Sequence, residues 1–63
     1  MEDAALPREL EVRLRRSKDA RVAWYALAPS HRREWIRAID DAKGPETRAR
    51  RADQAIAALT RAP

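Results

Sequence analysis

Large apolar residues are scarce in this chain, and they fall at helical intervals. Hydrophobic residues make up 44% of the 63 positions, but 14 of them are alanine, which contributes helix propensity more than buried area. The large anchors are Leu6, Leu10, Leu14, Val22, Trp24, Leu27, Trp35, Ile36, Ile39, Ile56 and Leu59. A domain of this length buries only about 60% of the surface its unfolded chain exposes, so the core must be thin. Leu, Ile and Val supply 10 residues and charged residues 38%, a balance close to that of disordered chains. The helical spacing of the anchors and the single glycine argue for a fold instead. With no cysteine there is no disulfide or thiolate metal site to staple the core.

Breaks divide the chain into four segments. Leu6, Leu10 and Leu14 recur every four residues behind Pro7, which suits a first helical turn, and predict a helix over about 7–16. Ser17 reads as an N-cap and Ala20, Ala23, Trp24 and Leu27 as the buried stripe of a helix over about 18–27. Ala28-Pro29-Ser30 reads as a tight break with Ser30 as the cap of a helix over about 31–43, lined by Trp35, Ile36, Ile39 and Ala42. Glu34 with Arg37, and Arg37 with Asp41, are spaced for surface ion pairs on that helix. Gly44 then reads as the residue past one helix end and Pro45 as the start of the next, over about 45–61, with Ala49, Ala52, Ile56 and Leu59 inward. The expected fold is all-α: one domain over 1–63, a small bundle of four short helices, with residues 1–5 and 62–63 frayed.

The acidic start, Met1-Glu2-Asp3, lacks the basic and apolar run of a signal peptide, and no segment is long enough to span a bilayer, so the expected location is the cytoplasm. The net charge is +4, which favours an anionic partner or simply solubility. Arg32, Arg33 and Arg37 crowd the third helix and Arg48, Arg50 and Arg51 the fourth, and the two clusters merge into one face if those helices lie side by side. That face is a candidate for binding nucleic acid, an anionic lipid head group or an acidic protein surface, set against a solvated face balanced by Glu34, Asp40, Asp41 and Glu46. The short turn between the second and third helices also permits a helix-turn-helix reading. Against it, the turn carries Pro29 instead of glycine, and the third helix has no Asn or Gln to read adenine.

Catalytic chemistry finds little to stand on. The only histidine, His31, lies beside Arg32 and Arg33, where a general base is poorly tuned. Ser30 and His31 are adjacent on a helix start and do not face each other, and the consecutive Asp40 and Asp41 diverge around a helix instead of converging on a metal. Gly44 stands alone, so there is no phosphate loop. The expectation is a non-enzymatic chain with no catalytic residue, metal or cofactor.

Leu27 through Glu34 (L-A-P-S-H-R-R-E), Ala42-Lys43 and Pro45 through Arg51 (P-E-T-R-A-R-R), with Leu6-Pro7 and the Leu10–Leu14 spacing upstream, closely resemble the helical domain of the bacteriocin-protection, YdeI/OmpD-associated (OmdA) family. The resemblance implies a bacterial protein and a helical module standing alone. It also implies a link to bacteriocin tolerance and an outer-membrane porin, and carries no reaction or cofactor. Its motif residues Ser30, His31, Glu34, Lys43, Glu46 and Thr47, with Arg32, Arg33, Arg48 and Arg51, are candidates for a binding face or for caps and ion pairs, with Arg48 or Arg51 reaching Glu34 or Asp41. The chain departs from the family at Lys18, where proline is usual, at Ala38, where tryptophan is common, and at Gly44, where a basic residue is common. The leading expectation is an interaction module that binds a partner protein in envelope stress or bacteriocin tolerance, with nucleic-acid binding as the alternative and a homodimer left open by the thin core.

Overall fold

The computed structural model describes residues 6–61, and the expected fraying of 1–5 and 62–63 lies outside them. Four helices follow one another, α1 (Arg8–Arg16), α2 (Lys18–Ala26), α3 (Pro29–Asp41) and α4 (Pro45–Thr60), with no strand among the described residues. The last helix organises the rest. It packs against each of the other three, α1 also packs against α2, and α3 makes its main contact with α4 alone.

Leu10, Leu14, Ala20, Trp24, Ile39, Ala52 and Ala55 form one buried cluster, with Leu6, Leu27, Trp35, Ile36, Ile56 and Leu59 packed around it half-buried. Trp24 is the largest side chain inside, at 1% exposure. The centre of the α4 seam is Ala52 and Ala55, both fully buried, while Ala49, Ile56 and Leu59 are only half-buried. Small residues at the seam suit a chain with few large ones, because close-packed interiors are filled by approach of the backbones where side chains are short. Val22, expected among the anchors, is instead 63% exposed. It lies two residues from Trp24, and on a 3.6-residue helix that places it on the opposite side.

The helix starts differ from the sequence reading in one place that matters. Ser30 does not cap α3: Ala28 is the N-cap with extended backbone, Pro29 is the first helical residue, and no side-chain cap bond is made. Proline disfavours helical geometry in the residue before it and presets its own, so the helix begins two residues earlier than a serine cap would place it. Gly44 stands past the end of α3 and before Pro45, as the sequence reading has it. Its φ of −88° is ordinary extended backbone, so it is the N-cap of α4 rather than a left-handed terminator of α3. The helix α3 ends instead at Ala42, whose N–H bonds the Ile39 carbonyl and whose backbone is extended. Pro7 likewise precedes α1 as its N-cap and is buried. Ser17 fills its expected role and one more: its hydroxyl accepts from the Ala20 N–H at 3.1 Å, while its own N–H closes α1 on the Leu14 carbonyl.

Candidate functional site

A helix end leaves carbonyl oxygens without intrahelical partners, and a cation placed there is also favoured by the helix dipole. The ends of α1, α2 and α3 each receive an arginine from the helix that follows. Arg21 of α2 donates from Nη1 to the Leu14 and Arg15 carbonyls at the end of α1, both at 2.9 Å. Arg32 of α3 donates to the Leu27 carbonyl at 2.6 Å and the Tyr25 carbonyl at 3.4 Å at the end of α2. Arg48 of α4 donates to the Asp40 and Ala42 carbonyls at 3.3 and 3.2 Å at the end of α3, and Arg51 adds a bond to Ala38 at 2.6 Å.

These arginines share a position. The N-caps of α2, α3 and α4 are Ser17, Ala28 and Gly44, and Arg21, Arg32 and Arg48 each stand four residues later, each backbone N–H bonding the carbonyl of its own N-cap. One turn into a helix, the side chain leans toward the N-terminus and so back across the junction it has just left. The same offset therefore produces the same clasp three times.

Arg48 does more. Its Nε and Nη2 contact both carboxylate oxygens of Glu9 on α1 at 3.1 and 3.3 Å, and Nη2 also reaches Asp40 at 3.3 Å. One guanidinium thus joins α1, α3 and α4. The hydrogen bond from Arg48 is the main reason the Glu9 carboxyl titrates below its ordinary value, helped by the Glu9 backbone N–H, and the Glu9 hydrogen bond raises Arg48 in turn. Further along the α1–α4 seam Arg13 pairs with Asp53.

The expected arginine face is divided by these contacts. Arg32, Arg48 and Arg51 are half-buried and turned to backbone carbonyls, whereas Arg33, Arg37 and Arg50 are exposed. Neither Arg48 nor Arg51 reaches Glu34 or Asp41; their partners are Glu9, Asp40 and the α3 carbonyls because α4 passes the end of α3. The Glu34–Arg37 and Arg37–Asp41 pairs are not formed either, since exposed side chains gain little from a fixed ion-pair geometry. Of the remaining motif residues, Ser30, His31, Glu34, Lys43 and Glu46 are exposed and Thr47 is half-buried.

His31 and Glu34 do come together, in a place the sequence reading did not anticipate. With Leu27, Trp35 and Ala38 they line a hollow of about 360 Å³ along α3. The positions 27, 31, 34, 35 and 38 follow helical spacing, a signal hidden by their mixed chemistry. A second hollow, also of about 360 Å³, lies on α1 between Leu6, Arg8, Glu11, Val12 and Arg15, and charged side chains dominate it. No helix among the described residues is long and apolar enough to cross a membrane, and no group of three or more His, Cys, Asp or Glu is gathered there for a metal.

No curated protein and no solved structure is matched by the chain. One family model is, over residues 3–62, and its description is bacteriocin-protection, YdeI or OmpD-associated. That span covers the four helices, the three arginine clasps and the hollow. The chain belongs to the bacteriocin-protection, YdeI or OmpD-associated family.

Proposed function

We propose that this chain is a non-enzymatic interaction module that binds a partner protein through the α3 face, in bacterial envelope stress or bacteriocin tolerance. The observation that carries this reading is the hollow beside α3. It is lined mostly by apolar atoms, floored by the half-buried Trp35, and sits on the helix that packs mainly against one neighbour. Aromatic side chains with one side packed and the other accessible are the anchors that protein interfaces favour. A photo-crosslinking residue placed at the exposed Asp41, one turn beyond Ala38 on the same helix, compared with one at the exposed Gln54 on α4, tests it in bacterial lysate. A discrete adduct at position 41 alone supports the reading, and equal or absent adducts overturn it.

Nucleic-acid binding is the second reading, favoured by the exposed Arg33, Arg37 and Arg50 on a chain of net charge +4. It predicts affinity for duplex DNA that falls steeply with salt, with a shallower slope when these three become alanine. The inward commitment of Arg32, Arg48 and Arg51 leaves it fewer cations than the sequence offers.

A further inference from the structure

The hollow has a charge of its own. Among the described residues Glu9, Glu11, Asp40 and Asp53 are each held by an arginine, whereas Asp19, Glu34, Asp41 and Glu46 take no ion pair, and of these four only Glu34 lines the hollow, beside Trp35. An open carboxylate next to an indole and two aliphatic side chains is an uncommon place on a chain with an excess of arginine. Its chemistry is that of a receptor for a flat cation on an apolar stem.

Resting on the partner-binding reading above, we propose that the hollow receives one arginine side chain of the partner. The stem lies on Leu27 and Ala38, the guanidinium stacks on Trp35, and its N–H groups donate to Glu34. Arginine fits better than lysine, because the planar guanidinium can stack on an indole while keeping in-plane donors for a carboxylate, whereas an ammonium is a strongly hydrated point charge. The volume also fits: about 360 Å³ lies at the small end of ligand pockets, room for one large side chain and not for a folded ligand.

The surroundings limit the rest of the partner. Arg33 and Arg37 are exposed on the same helix as Glu34, so a polybasic segment laid along α3 meets like charges, which physiological salt screens only over roughly 8 Å. The occupant is therefore a segment with one arginine among apolar neighbours.

The test uses the whole chain and the peptide acetyl-Leu-Arg-Leu-amide, with a citrulline peptide as its uncharged counterpart. Binding is followed through the indole N–H resonances of Trp35 and Trp24 in two-dimensional NMR. The expected result is a saturable shift of Trp35 and not of the buried Trp24. Affinity should be at least fivefold weaker for the citrulline peptide and for Glu34→Gln. Ala38→Trp, which fills the hollow, should abolish the shift, and Arg50→Ala should leave it unchanged. Equal affinity for arginine and citrulline peptides, an unaltered Glu34→Gln, or no saturable shift overturns the arginine assignment. If the crosslink from position 41 still forms, the partner-binding reading survives that failure; if it too is absent, both fall.

Discussion

The two tryptophans stand in opposite circumstances. Trp24 is enclosed at 1% exposure within the cluster to which all four helices contribute, α3 through Ile39, and Trp35 is half-buried on α3, one side against that cluster and the other toward the hollow. Around Trp24 every structural device converges: leucines of α1, the alanine seam of α4, and an α1–α4 border held by Glu9 with Arg48 and by Arg13 with Asp53. Around Trp35 the helix packs mainly against one neighbour. A chain with so few large apolar residues closes one core completely, and the α3 face is left accessible.

The comparison breaks most sharply at Trp24. Trp24→Ala should cost about 3–5 kcal/mol, a large part of the stability of so small a domain, and abolish cooperative thermal melting followed by circular dichroism. Trp35→Ala should cost less, about 1–2 kcal/mol, and leave a cooperative transition at a lower midpoint. If both variants unfold alike, the two sides are one core and the contrast fails. Acrylamide quenching adds a check, since Trp35 should be quenched readily and Trp24 hardly at all.

The border of the closed side carries a pH signature. Glu9 titrates below its ordinary value in the folded chain, so its contribution to stability is complete above the unfolded value, near 4.5, and is lost as pH falls through the lower folded value. Below about pH 4.5 the unfolded carboxyl takes up its proton first, and proton uptake then favours unfolding. Wild type should therefore lose melting temperature faster than Glu9→Gln as pH is lowered below that point. Arg48→Ala should lower the midpoint at pH 7 more than Arg50→Ala, because Arg48 joins three helices and Arg50 is exposed. Parallel acid profiles for wild type and Glu9→Gln would remove Glu9 from the account of this border.

Much of the fold was legible because helical punctuation is local. Ser17, Pro29 and Pro45 sit within the first turn or at the cap, and these rules need no knowledge of the rest of the molecule. The arginine contacts were less legible to the same local reading. With Ser30 taken as the cap, Arg32 falls on the second helical position and points away from α2; with Ala28 as the cap it falls on the fourth, in step with Arg21 and Arg48. A two-residue error in one start concealed a threefold regularity. The hollow was illegible for another reason: its lining mixes Leu, His, Glu, Trp and Ala, and no hydrophobic stripe announces it. Only the absence of a covering helix beside α3 makes those residues neighbours of an open space.

The smallest expected effect has the opposite sign and tests the junction logic directly. Gly44 caps α4 without a side-chain bond, its φ of −88° and extended ψ suit any residue, and an added Cβ would meet nothing within 4 Å. Gly44→Ser supplies a hydroxyl for the free N–H groups of the first turn and reduces the freedom of the unfolded chain, so stability should rise by about 0.5–1 kcal/mol. The backbone conformation of the junction need not change, and the Arg48 clasp onto the Asp40 and Ala42 carbonyls should persist. A thermal midpoint raised by a few degrees, with Arg48→Ala remaining as costly in the Gly44→Ser background as in wild type, is the expected outcome. Destabilisation by serine would mean that the junction between α3 and α4 requires glycine, and that the clasp depends on a backbone other than the one described.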